Sequence, residues 1–418
     1  MKSQLNFILC LLSLTILSIF LYKACCKSLN AKYFNNTQKQ HHINCVIKKV
    51  KANNCGIQKQ SEKPSTLSST ACCLIEKNSG QILYKKKSFK KLPMASTTKI
   101  MTCILALENG KPDDIVKVSN YAASMPKVKL YMKSGDTFRL GDLLYSLMLE
   151  SHNDTAVAIA EHIGGSVKNF AKLMNRKASE LGCSSTHFVT PNGLDSKGHY
   201  TTAYELCKIA SYALENKNFK KIITTSTYSF SNTNGSKQYN VSNKDAFLSQ
   251  YNGAIGVKTG FTGKAGYCFC GAATRNNTTL ISAVLGCGWP PNKTYKWQDT
   301  KKLMDYGFNN FSKVNFKPEE KTFKINILKG QTNFTNVKVF DKPCILMLSK
   351  NDEITYKIKL PSTLTAPVSK NDFLVFAKLY VNNKLYRQTP LKAEHDIDAV
   401  TPGYIRKILI RMLCVIPL

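Results

Sequence analysis

Acidic residues are scarce in this chain. Only 26 Asp and Glu stand against 59 Lys and Arg in 418 residues, a formal net charge of +33. Such a surplus says little about fold, but it draws the chain toward polyanions: nucleic acid, an anionic membrane face or an acidic wall polymer. Nucleic acid is set aside, because no helix-turn-helix, zinc or aromatic-basic signature accompanies the charge. The 15 cysteines include no C-x2-C pair, and Cys25-Cys26, Cys72-Cys73 and Cys268-x-Cys270 do not follow the even spacing of a disulfide framework. Structural zinc and a disulfide scaffold are therefore not expected. The thiols read as tolerated free cysteines, and His41-His42 is too isolated to make a metal site. No motif requires a metal or an organic cofactor. Apolar residues, by contrast, make up 43% of the chain, enough to build a sizeable core and exclude global disorder.

The N-terminus has one charge, Lys2, and then an uncharged run from Ser3 to Tyr22. Residues 1–26 read as an export signal or an uncleaved membrane anchor, with no A-x-A cleavage site after the run. The chain is therefore expected outside the cytoplasm, on the outer face of a membrane. Residues 27–65 carry eight lysines and one glutamate among Asn, Gln and Ser, and read as a basic, solvated linker.

From Thr70 the pattern is that of a folded domain spanning 66–310. Ala71–Glu76 and Gln81–Tyr84 are expected strands around a Lys77–Gly80 turn. Helices are expected at Ser96–Asn109, Leu140–Leu149, Thr155–Ile163, Val167–Leu181 and Ala203–Leu214. Tyr267–Thr274 and Thr279–Gly286 read as adjacent strands, and Trp297–Tyr306 as a closing helix. The fold class is α+β: an antiparallel sheet with a helical cluster. Residues 311–400 lose helical periodicity and read as a small all-β domain. In 401–418, Ile405, Ile408, Leu409, Met412 and Ile416 recur at helical spacing apart from Arg406, Lys407 and Arg411. That is the pattern of an amphipathic helix on a membrane surface.

Three short motifs carry chemistry. Ser96-Thr97-Thr98-Lys99 places a lysine nearly one helical turn after a serine, on the same face. A serine hydroxyl needs an adjacent base to become a nucleophile, and a lysine serves as that base only if burial or another cation lowers its pKa. Ser151-His152-Asn153 sits between two apolar helices, where Ser151 can relay a proton and Asn153 can donate to a substrate carbonyl. Lys258-Thr259-Gly260 precedes a strand. There a cation and a hydroxyl can hold a terminal carboxylate, and Gly260 lets a substrate backbone approach closely. Each motif alone has a bland reading, as a helix cap or a surface pair; their conjunction and order carry the weight.

S-x-x-K, S-x-N and K-T-G in that order resemble the motifs of class A β-lactamases and penicillin-binding proteins. Pro93–Thr102, Thr190–Asp195 with His199–Ala203, Gly256–Thr262 and Ala265–Cys268 resemble the corresponding segments of low-molecular-mass penicillin-binding proteins, the serine-type D-Ala-D-Ala carboxypeptidases. The resemblance implies a penicillin-recognising serine hydrolase domain over about Leu67–Phe311. It implies removal of the terminal D-Ala from peptidoglycan stem peptides through a Ser96 acyl-enzyme, with β-lactam antibiotics as covalent inhibitors. Ser96, Lys99 and Ser151 would be catalytic, and Asn153, Lys258, Thr259 and Gly260 would bind substrate. The backbone N–H groups of Ser96 and Phe261 would form an oxyanion hole; Phe261 stands where many relatives have His. Rival readings are a D,D-endopeptidase using the same residues, a class A-like β-lactamase, and an inactive wall-binding relative. The lactamase reading lacks its deacylating carboxylate: no Glu lies between Ser184 and Tyr204, Glu180 has no E-x-x-L-N context, and Asp195 belongs to the carboxypeptidase-like loop.

Overall fold

The computed structural model describes residues 42–51, 62–318, 320–339, 342–370 and 372–413. The apolar N-terminal run, most of the 27–65 segment and Ile416 lie outside the described residues. The chain divides into two compact units. One comprises 51–316 with 343–352; the other, among the described residues, comprises 42–50, 317–342 and 353–413.

The first unit is built on a five-stranded sheet in the order Ile82–Lys86, Ala71–Glu76, Thr278–Leu285, Gly266–Arg275, Ala254–Thr262. Its neighbouring strands pair antiparallel, with Leu280 opposite both Glu76 and Ala273. Ala71–Glu76 is buried along its whole length because both faces are covered. Ala71, Cys73 and Ile75 pack into the large helical core with Ile100, Leu147, Ile159 and Leu206. Cys72 and Leu74 pack on the other side with Trp297, Leu303 and Met304 of helix Tyr295–Asn310. Sheet, helical cluster and closing helix are thus as the sequence pattern implies.

Two helices depart from expectation where the site is built. The nucleophile segment begins as a 3-10 turn, Ala95–Thr98, and becomes α-helical only at Lys99–Asn109. Thr97 and Thr98 donate back to the carbonyls of Met94 and Ala95 at 2.6 and 2.8 Å, and these local bonds compete with the helical pattern. The expected helix Leu140–Leu149 is α-helical at Leu140–Tyr145 and then widens into a π turn, Ser146–Glu150. Such turns interrupt helices frequently at functional sites. The buried Cys72, Cys73, Cys103, Cys183, Cys207, Cys268, Cys270 and Cys287 are free thiols, and burial pushes Cys72 and Cys268 up to about 12.

The second unit has a three-stranded sheet, Phe334–Val339, Lys321–Leu328 and Thr363–Thr365, and a four-stranded one. The latter runs His42–Lys51, Glu353–Pro361, Phe373–Val381, Lys384–Lys392. His42–Lys51 corrects the reading of 27–65 as linker throughout. Its Ile43, Val46, Ile47 and Val50 supply strand propensity that the surrounding Lys and Asn content masks. Ser312–Phe316 pairs with Cys344–Leu348, and both belong to the first unit. Gln81 fixes this pairing, accepting from Met347 N at 2.9 Å. Pro402–Leu413 is helical, with Leu409, Ile410 and Met412 exposed. Among the described residues, no helix is long and apolar enough to cross a membrane.

Candidate active site

The structure brings the first two motifs into direct contact. Lys99 Nζ donates to Ser96 Oγ at 3.0 Å, to Asn153 Oδ1 at 2.9 Å and to the Asn192 carbonyl at 2.6 Å. Lys99 is fully buried. Burial, and then the Lys258 ammonium, push it well below the usual lysine range, while Asp154 pulls weakly the other way. This satisfies the condition for a lysine base, since both burial and a second cation disfavour its charged form.

The nucleophile sits on a strained support. Ala95, just before it, has φ 49°, the left-handed region that an L-residue adopts at a cost. Two glycines hold that turn in place. A Cβ on Gly193 (φ 85°) would lie 2.0 Å from the Ala95 carbonyl oxygen, and one on Gly260 would lie 2.9 Å from Ser96 N. The missing side chain at Gly260 therefore also admits the nucleophile's own backbone, beside its expected role toward substrate.

The Ser151 turn is equally specific. Ser151 is left-handed (φ 70°) at the end of the π turn. His152 Nδ1 lies 2.8 Å from Ser146 Oγ and its Nε2 lies 3.2 Å from Glu150 Oε2. Burial holds His152 below its ordinary range, so the neutral ring donates from Nε2 to Glu150 and accepts at Nδ1 from Ser146. Ser151 Oγ is buried with no hydrogen-bond partner among the described residues. The expected Ser151–Lys99 link is thus not made in this state; the S-x-N contact to Lys99 comes from Asn153. The Asn153 amide Nδ2 donates to the Pro126 carbonyl at 3.2 Å. One of its two N–H groups is left for a substrate.

Ala254–Thr262 is the edge strand facing this cluster, and its alternation buries Lys258 and Gly260 together. Burial pushes Lys258 down to about 8, against the attraction of Asp245. Phe261 is paired with Tyr267. Tyr267 N donates to Gly288 O and its carbonyl accepts from Cys287 N, so both its polar groups point away from Phe261. The Phe261–Tyr267 pair is therefore of the non-hydrogen-bonded kind, and the Phe261 N–H points out of the sheet edge. A Phe serves there as well as a His, because the group offered is backbone. The Phe261 ring rests on Tyr267 with centroids 4.6 Å apart.

Several further residues of the site lie outside the three catalytic motifs. The Asn192 carbonyl takes a bond from Lys99, and also from Ser96 Oγ at 3.4 Å. His199 Nδ1 accepts from Val189 N at 3.0 Å, which leaves Nε2 to donate to Thr98 Oγ1 at 2.8 Å. Burial holds His199 down at about 4, so it is a neutral strut. The buried Asp154 carboxylate accepts from Leu130 N, Met132 N and Thr155 N at 2.9, 3.3 and 2.9 Å, fixing the loop beside Asn153. Among the described residues no cluster of His, Cys, Asp and Glu could hold a metal ion.

A serine bonded to a buried lysine whose charged form is disfavoured, facing an edge strand with outward N–H groups, defines a hydrolase that works through a serine acyl-enzyme. Residues 58–288 match the family described as D-alanyl-D-alanine carboxypeptidase, and 311–399 match the C-terminal domain of penicillin-binding protein 5. The chain is 32% identical over 333 residues to the D-alanyl-D-alanine carboxypeptidase DacF of Bacillus subtilis, covering 78% of this chain and 84% of that protein. It is 30% identical over 344 residues to DacA of Escherichia coli, covering 78% and 82%. Penicillin-binding protein 5 from Haemophilus influenzae is similar in structure, with TM-score 0.66 and 26% identity over 81% of this chain and 100% of that one. The Streptomyces K15 DD-transpeptidase is similar with TM-score 0.56 and 33% identity over 59% and 99%. The chain belongs to the D-alanyl-D-alanine carboxypeptidase family of serine peptidases.

Proposed function

We propose that the protein removes the terminal D-Ala from peptidoglycan pentapeptide stems through an acyl-enzyme on Ser96. The observation that carries this is the Lys99 amine, buried, depressed and 3.0 Å from Ser96 Oγ. Ser96 attacks the carbonyl carbon of the penultimate D-Ala as Lys99 takes its proton. The N–H groups of Ser96 and Phe261 hold the oxyanion. The amide bond breaks, and a proton passed through Ser151 leaves with the D-Ala amine. Water then adds to the acyl-enzyme, Lys99 takes its proton, and Ser96 is released with the shortened stem. A hydroxyl buried without a partner costs about 1–3 kcal/mol, which suits a group that finds its partner only in the reacting complex. β-Lactams acylate Ser96 by the same attack. Release of free D-Ala from a soluble pentapeptide tests the reading; cleavage of crosslinked dimers without D-Ala release would establish the endopeptidase alternative instead. Against a lactamase stands the occupation of nearby carboxylates. Asp154 is held by three backbone N–H groups, and Asp195 accepts from Thr262 Oγ1 at 2.9 Å.

Lys258, with Thr259, receives the terminal carboxylate of the substrate. Its ammonium, lowered to about 8, is present below that pH and lost above it. KM for the pentapeptide is therefore expected to rise as pH passes through about 8, while a substrate amidated at its C-terminus shows no such rise. Steady-state kinetics on both substrates check this; parallel curves would remove the carboxylate role from Lys258.

The protein works outside the cytoplasmic membrane, attached to its outer face. The exposed Leu409, Ile410 and Met412 beside Arg406, Lys407 and Arg411 support attachment through the terminal helix. A chain of residues 27–418 is expected to float with anionic vesicles, less so at high salt, and a chain of 27–400 is not. Equal flotation of the two would show that the helix is not an anchor. Both retain the strand His42–Lys51 and all three motifs.

A further inference from the structure

The outer face of the four-stranded sheet carries a charge pattern that folding alone does not favour. Lys357 on Glu353–Pro361 stands directly opposite Lys378 on Phe373–Val381. Lys359, two residues on, shares that face, while Tyr356, Ile358 and Leu360 are buried beneath it. Like charges directly opposite on neighbouring strands destabilise a sheet. Among the described residues none of these three lysines has a carboxylate within ion-pair distance, whereas elsewhere in this unit Lys338 pairs with Glu394. Glu353 lies on the same face of its strand but four residues from Lys357, about 13 Å at the rise of a strand, and it accepts from Thr355 Oγ1 at 3.3 Å.

Lys359 and Lys378 line a groove of about 320 Å³ whose apolar walls include Pro361, Leu364, Leu374 and Phe376. Phe376 is 39% exposed. We propose that this groove binds a flexible phosphodiester polymer, with successive phosphates on Lys378, Lys357 and Lys359 and the short carbon bridges between them on the apolar floor. The cations are all lysines. A lysine ammonium binds a phosphate as a compact point charge, without the fixed fork by which arginine grips carboxylate or phosphate. Lys357 and Lys359 are roughly 7 Å apart along the strand, and Lys378 is about 5 Å across. That spacing suits a repeating chain better than one isolated anion. A concave floor with an aromatic side chain fits a polymer strand rather than the flat surface of a bilayer. The net charge of +33 supplies long-range attraction, and the groove supplies the place where it is used.

The full chain can be titrated with poly(glycerol phosphate) at several salt concentrations, with D-Ala release from a soluble pentapeptide followed in parallel to report separately on Ser96. The K357Q/K359Q/K378Q variant is expected to bind at least about tenfold more weakly, with a log–log salt slope shallower by about 2, as loss of three phosphate contacts requires. Its D-Ala release is unchanged. Without polymer it melts at a higher temperature than the parent, because the opposed lysines are gone. The charge-matched K321Q/K350Q/K370Q variant, altered at exposed lysines elsewhere, keeps its affinity. Equal losses in the two variants would show diffuse attraction and overturn the proposal, as would unchanged binding in the first. A loss confined to vesicles of anionic lipid would assign the face to a bilayer and overturn it equally.

Discussion

Alanine at position 96 is expected to abolish both D-Ala release and covalent labelling by penicillin. Among the described residues, the Ser96 hydroxyl is the one that Lys99 Nζ bonds. The neighbouring hydroxyls are committed elsewhere: Thr97 to Met94 O, Thr98 to Ala95 O and Thr102 to Pro191 O. Ser151 is buried and unpartnered, with no base bonded to it. No second hydroxyl therefore stands ready to inherit the acyl group. Where nucleophile and base act as a unit, removing one costs on the order of a million-fold in turnover. Folding should survive, because Lys99 keeps Asn153 Oδ1 and the Asn192 carbonyl as partners. Intact-protein mass spectrometry after incubation with penicillin, alongside a melting curve, checks both halves. An adduct retained at another serine would overturn the nucleophile assignment.

Much of the site is legible in the sequence because its chemistry is packed into short-range spacings. Three residues on a helix put Lys99 beside Ser96, and two on a strand bury Lys258 with Gly260. The condition on the base, burial plus a second cation, is legible too, since K-T-G supplies that cation. What spacing conceals is contact made through backbone. The Asn192 carbonyl that receives Lys99 has no residue-type signature, and Gly193 betrays its role only once Ala95 is seen 2.0 Å from where its Cβ would be. Asp154 reads as an ordinary residue of a helical first turn, yet it is a buried anchor for the loop at Leu130–Met132. In the fold, strongly periodic elements such as Val167–Glu180 and Ala203–Ala213 follow the pattern to within a residue or so at their ends. Elements whose partners lie far along the chain do not announce themselves. His42–Lys51 is a strand because a strand three hundred residues later pairs with it, and its lysines disguise it as linker.

Arginine at position 99 is expected to be as damaging as alanine there, and this outcome separates a base from a counter-charge. The Lys99 amine is fully buried, with its nitrogen 2.9 Å from Asn153 Oδ1 and 2.6 Å from the Asn192 carbonyl. Burial and Lys258 lower its pKa, so the neutral amine is accessible to the working enzyme. A guanidinium keeps the charge but cannot be deprotonated in a protein. If Lys99 only stabilised developing charge, arginine would preserve much of the rate. If it takes the Ser96 proton, arginine forfeits general-base catalysis, roughly a hundred- to ten-thousand-fold. The sign of the pH dependence adds a second readout. Wild-type acylation should rise with pH through the lowered Lys99 pKa, because deprotonation creates the base; the residual rate of the arginine variant should lack that limb. Arginine also fixes a larger, permanent cation near Lys258, so misfolding must be told apart from lost chemistry. Lys99→Met serves that purpose, being unbranched, of similar length and uncharged. Stopped-flow acylation by a chromogenic penicillin across pH 5–9, on variants whose melting curves show them folded, decides the matter. Acylation of the arginine variant near the wild-type rate would reduce Lys99 to an electrostatic partner, whereas a matching collapse in the arginine and methionine variants, with the pH limb gone from both, identifies the amine lone pair as what Ser96 requires.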